Sequence, residues 1–165
     1  MIYPAIVVCV LLVTATTPGF AEDSKTDKLG KRSPADRYVV GLGEIMAVTQ
    51  MRHAKLWFAG NARNWRLAEY ELEELEEGFD DVIKYHPTLN ALPIASLLKA
   101  FTSQPVDSLK DAIESENDQR FSDAFSELTG ACNSCHQAVN REYIVIKTPS
   151  VSPVVNQKYT VEDSG

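Results

Sequence analysis

In three stretches of this chain, residues suited to a core recur at alternating intervals of four and three, the spacing of one buried helix face. Leu42, Met46, Thr49, His53, Leu56 and Gly60 form the first stripe, and Trp65, Ala68, Leu72, Leu75, Phe79 and Val82 the second. Phe121, Phe125, Leu128, Cys132, Cys135 and Val139 form the last. Between the second and last lie "LPIASLLKAF" and "VDSLKDAIES", separated by Gln104-Pro105. Proline cannot donate the helical hydrogen bond, so a kink or two short helices is expected there. Strand signals are poor and no internal repeat is visible. The pattern predicts an all-α domain, most simply an antiparallel four-helix bundle. With 165 residues, 44% of them hydrophobic, the chain is long enough for one such core.

The helix ends carry their own signals. Ser33 as N-cap, Pro34 at the first helical position and Asp36 predict a helix from Pro34 to about Ala59, with Gly60-Asn61 as its stop. Gly41 and Gly43 weaken that helix: either it starts near Glu44, or the glycines admit something bulky to the backbone, which is the expectation adopted. The second helix should run from Asn64 to His86-Pro87, with the acid of "EYELEELEEGFDD" solvated on its outer face. The last should start near Asn117 or Asp118. Trp57 and Trp65 flank the turn "FAGNARN" and should pack together at one bundle end. Residues 34–143 thus read as the bundle and 144–165 as an extended C-terminal tail, the β-branched "EYIVIKTP" (142–149) spanning the boundary.

The chain opens on "MIYPAIVVCVLLVTATTPGFAED". Its apolar run, followed by small residues and Gly19-Phe20-Ala21, has the layout of a secretory signal (residues 1–21) cleaved after about Ala21. The n-region lacks Lys and Arg, and an uncleaved anchor is the rival reading, although the run is short for a membrane span. Residues 22–33 are polar and charged, a flexible leader. Cleavage removes Cys9 and leaves Cys132 and Cys135 in a periplasmic chain with no stable membrane insertion.

Cys132-Asn133-Ser134-Cys135-His136 is a C-x-x-C-H sequence, the attachment signature of c-type haem. On a helix, the gap lets both thiols reach vinyl groups on adjacent edges of a porphyrin. The next residue then brings an imidazole under the ring as proximal iron ligand. Other uses of paired cysteines fit less well. A Cys132–Cys135 disulfide strains a helix and has no use for His136. A zinc site wants four ligands, with His53 and His86 converging on the pair. A thiol oxidoreductase with Cys132 as nucleophile wants the motif at a helix N-terminus after a strand, whereas this one lies several turns into the last helix. A di-iron centre asks for Glu-x-x-His pairs, but Gln50, Ile83 and Asn133 precede the three histidines at that spacing.

On "CNSCH" and the layout of residues 34–143, the chain resembles the cytochrome c′ family and its low-spin relatives, small exported four-helix bundles with one haem on the last helix. The resemblance implies thioether bonds at Cys132 and Cys135, iron ligation by His136, and one covalently attached heme c. From about Glu142 the tail departs from the family, and "YIVI" is expected to cover an exposed haem edge. In that family a vacant sixth position, shielded by an apolar residue, binds small gases, and a methionine there gives an electron carrier. Met46 stands on the first core stripe near the level of the motif and is the first candidate for sixth ligand. His53, about 10.5 Å further along the axis, is the alternative, and a vacant site the third. Met51 points about 140° away from Met46. Arg52 is a candidate partner for a haem propionate, and His86 reads as a helix-end residue.

The expectation is an exported electron carrier rather than an enzyme. A gas-binding haem protein and a haem-free thiol oxidoreductase are the alternatives. A formal net charge of −7 argues against nucleic acid and fits a redox partner protein with a basic docking surface. Whether the bundle pairs into a homodimer, as its relatives often do, stays open.

Overall fold

The computed structural model describes residues 38–161, so the signal, the leader and the Ser33-Pro34-Asp36 helix start lie outside the described residues. Four helices pack against one another: α1 (Leu42–Asn61), α2 (Trp65–Tyr85), α3 (Ile94–Glu114) and α4 (Asp118–Ala138). Short connections make neighbours antiparallel. Arg63, in the turn after α1, forms an ion pair with Asp118 at the start of α4. The end of α1 therefore lies beside the beginning of α4, and the beginning of α1 beside the motif. α1 packs on α2 and α3 on α4 extensively, while α1 and α4 touch more sparingly. Among the described residues no helix is long and apolar enough to cross a membrane.

α1 begins later than the serine-proline signature predicts. Residues 38–41 are irregular, and Gly41 is the N-cap, in extended backbone with φ −66° and ψ 151°. It offers no capping side chain, but Glu44 in the first turn complements the positive end of the helix dipole. Gly60 has a different role from the stop it resembles, because it lies inside α1. A Cβ there would stand 2.1 Å from the Phe121 ring, so the missing side chain is what lets α4 press an aromatic against the α1 backbone. The left-handed residue that ends the helix is Arg63, at φ 55°. Gly60→Ala is expected to cost about 2 kcal/mol in urea unfolding by overpacking this contact. Gly130→Ala is the contrast: exposed in α4 with nothing near its Cβ position, it should gain up to about 1 kcal/mol from helix propensity.

α2 is capped as expected: the Asn64 side chain accepts the Leu67 N–H at 3.2 Å, and His86 closes the other end. Its acidic face is solvated except at one position. Glu71 is fully buried, with Arg52 and Lys55 of α1 against its carboxylate. α3 runs as one helix through Pro105, so of the two outcomes expected there the break into two short helices does not occur. The proline is buried among its neighbours, and packing on both α2 and α4 outweighs the lost bond. In the turn before it, the Thr102 and Ser103 hydroxyls donate to the carbonyls of Leu98 and Lys99, each at 2.8 Å.

α4 starts at the Asn117 cap, whose side chain accepts the Arg120 N–H at 2.9 Å. Its inward stripe builds the aromatic end of the core. Trp57 and Trp65 meet through Phe121 rather than each other, with ring centroids 6.3 and 5.9 Å from it. Phe125 continues the cluster 4.9 Å from Trp57. The tail is irregular, without strand, and reaches back to this end. There the Asn64 side chain donates to the Tyr159 carbonyl at 3.0 Å, and the Tyr159 ring lies 5.5 Å from Phe58.

Candidate functional site

At the opposite end of the bundle the helices enclose a largely apolar cavity of about 490 Å³, within the roughly 300–1,000 Å³ range of small-molecule and cofactor sites. All four helices contribute, with Met46 and His53 from α1, Phe79 from α2 and Leu98 from α3. Cys132, Cys135 and His136 of α4 line the same space. The helical stripe explains the placement. Residues three and seven before Cys135 are Cys132 and Leu128, so the thiols continue the face that Leu128 buries in the core.

Both thiols are free, Cys135 buried and Cys132 partly so. Burial, with Cys135 close by as the lesser cause, pushes the Cys132 thiol up to about 12. Burial also raises Cys135. A nucleophilic thiol needs the opposite shift and the positive end of a helix dipole. These cysteines sit in the C-terminal part of α4, at its negative end.

His136 is held in one orientation. Its Nδ1–H donates to the Ile144 carbonyl at 2.8 Å. A carbonyl can only accept, so the proton is on Nδ1 and the Nε2 lone pair is the one left for a metal. Asn133 extends this arrangement: its Nδ2 donates to the Ile146 carbonyl at 2.8 Å, and the Ile146 N–H donates to its Oδ1 at 2.8 Å. Ile144 and Ile146, two apart along the tail, both line the cavity. Of "YIVI", these two residues form part of the cavity lining, while Tyr143 and Val145 are exposed. Sequence reasoning missed Asn133, which occupies a variable position of the motif. The available signal was a side chain able to both donate and accept beside a β-branched extended segment.

The sequence-derived partners separate into those at the cavity and those elsewhere. Met46 is partly buried, with its side chain among the apolar residues of the wall. His53 also borders the cavity, but its Nε2 is used: the Thr129 hydroxyl donates to Phe125 O at 2.9 Å, so it accepts the His53 Nε2–H at 2.9 Å. The ring packs 4.4 Å from Phe125, and burial pulls the pKa down to about 4, leaving a neutral imidazole. Met51 is more exposed and does not border the cavity.

Arg52, the sequence's candidate for an acidic cofactor edge, is turned toward α2, 3.0 Å from Glu71 and 2.7 Å from Glu74. Arg141 is the cation that borders the cavity instead. His86 lies at the end of α2, its Nε2–H donating to Val40 O at 2.7 Å. Among the described residues no group of three or more His, Cys, Asp or Glu side chains is arranged to hold a metal ion by itself. No protein-family model, curated protein or solved structure matches the chain.

Proposed function

We propose that this chain is an exported mono-haem c-type cytochrome that carries electrons. In this reading Cys132 and Cys135 hold the porphyrin as thioethers and His136 ligates its iron. The observation that carries it is the His136 Nδ1–H bond to Ile144 O, which leaves Nε2 as ligand in a cavity that also presents both thiols. The residues fit the group. The walls are largely apolar, both thiols line the cavity with their protonated form favoured by burial, and Arg141 at the border is a cation able to pair with acidic substituents. A bound haem supplies a one-electron couple, and the surrounding residues exclude water and fix the ligand orientation.

Met46 is the favoured sixth ligand: its thioether lies among the apolar residues of the wall, whereas His53 donates Nε2–H to Thr129 and keeps only an Nδ1 lone pair on a ring packed against Phe125. The tail segment at Ile144–Ile146 shields one side of the cavity. Export to the periplasm and removal of residues 1–21 belong to the same proposal, as does a redox partner with a basic docking surface, which the −7 formal charge favours.

The test is the mass and visible spectrum of the full chain made in cells competent for haem ligation. The expected product is heavier than the polypeptide by one haem, has sharp α and β bands when reduced, and loses the added mass in Cys132→Ala/Cys135→Ala. Met46→Ala should convert the spectrum to high-spin. A broad high-spin wild-type spectrum that sharpens with carbon monoxide would mean a gas-binding protein. A colourless chain of bare polypeptide mass sinks the haem reading altogether.

A further inference from the structure

Asn133 sits between the motif cysteines yet has more specific polar partners than either of them. Its carboxamide makes a reciprocal pair with the N–H and C=O of Ile146, both at 2.8 Å. This satisfies the two backbone groups of one tail residue as a neighbouring strand would. The consequence is register. With residue 146 pinned, the carbonyl of Ile144 falls on the Nδ1–H of His136, and Ile144 and Ile146 both face the cavity. A slip of one residue would put Val145, now exposed, and a neighbour in place of the two isoleucines at the cavity. It would also carry the acceptor away from His136.

We propose that Asn133 is a positioning residue for His136, acting through the tail: it locks residues 144–146 in the register that fixes the imidazole tautomer and closes the cavity wall. This rests on the reading of His136 as an iron ligand. The far end of the tail is fastened independently, by Asn64 and Phe58 on Tyr159. Losing the Asn133 clamp should therefore loosen residues 143–148 while the end at Tyr159 stays in place. Ser134 provides the internal comparison. It is the other variable position of the motif, exposed, with its hydroxyl donating only to Gly130 O at 3.0 Å within the helix.

The experiment compares the full chain with Asn133→Ala, Asn133→Asp and Ser134→Ala, all made in ligation-competent cells. Asn133→Asp keeps shape and one acceptor but loses the donor, so it serves if the alanine variant is poorly folded. Hydrogen exchange followed by mass spectrometry should show uptake over residues 143–148 at least about tenfold faster in Asn133→Ala, intermediate in Asn133→Asp and unchanged in Ser134→Ala, as expected when a locally protecting bond opens. Losing the Nδ1–H acceptor makes the imidazole a weaker donor to iron, so the midpoint potential should move upward in the same order.

Unchanged uptake over 143–148 overturns the proposal. So does a released tail with an unchanged potential, which would make the clamp merely structural. If the preparation is colourless, the haem reading fails separately. The imidazole ¹⁵N shifts of His136 in the same chain then decide for Asn133. A change from Nδ1–H toward Nε2–H in Asn133→Ala supports positioning, and an unchanged tautomer refutes it.

Discussion

Glu71→Ala should destabilise the protein by about 3–5 kcal/mol, the usual cost of removing one partner from a buried ion pair. Glu71 is fully buried. Arg52 reaches its Oε2 at 3.0 Å, and Lys55 pairs with its Oε1 without hydrogen-bond alignment. Alanine would open a void between α1 and α2, take away the Glu71 carboxylate that Lys55 pairs with and leave Arg52 to Glu74 alone. Both cations retain partial access to water, which places the expected cost at the lower end of that range. Glu71→Gln keeps the shape and an acceptor, and should lose less. Replacing Arg52, Lys55 and Glu71 together by methionine should recover most of the loss, because the desolvation cost of the charges disappears with their attraction. Urea unfolding of the three variants checks the order. A triple variant weaker than Glu71→Ala would show that the charges themselves hold α1 to α2.

Acidification should remove about 3 kcal/mol of stability between pH 6.5 and pH 4 through His53 alone. Burial lowers its pKa from the ordinary 6.5 to about 4 in the folded chain. In that interval the unfolded chain binds a proton that the folded chain refuses, so stability is complete above pH 6.5 and declines as pH falls toward 4. The cause is geometric: the ring packs tilted against Phe125 and donates to Thr129, and among the described residues desolvation is the cause that shifts it, with no carboxylate offsetting it. Urea midpoints at pH 7 and pH 4.5 measure the effect. His53→Gln should flatten the interval whatever it costs at pH 7. Equal acid losses in wild type and variant would show that other groups carry the acid sensitivity.

The buried faces of α1, α2 and α4 were readable from residue spacing, because a helix repeats its own geometry every few residues and the core selects apolar side chains on that repeat. The caps at Asn64 and Asn117 were equally local, each a side chain bonding a backbone N–H three residues on. Pro105 was legible only in part for the same reason, since the break into two helices does not occur. Its effect on a lone helix is disruptive, but packing on two neighbours keeps α3 continuous. Gly60 has the local appearance of a stop, and its actual use depends on a ring that lies far away in the chain.

The site divides along the same line. Two thiols on the inward stripe of the last helix with an imidazole next to the second, and Met46 and His53 on the inward stripe of the first, are consequences of order and spacing along the chain. Their charge environment and polar partners are not. Glu71 sits in an acidic run that is otherwise solvated, and only the approach of Arg52 and Lys55 shows why one carboxylate is tolerated inside. The tautomer of His136, the Asn133 clamp and the neutrality of His53 each depend on a partner from a segment that local periodicity does not describe. Spacing determines which face of a helix is buried. Which atom meets which across that face was decided only when the helices and the returning tail came together, since hydrogen bonds and desolvation act over a few ångströms in space, whatever the separation along the chain.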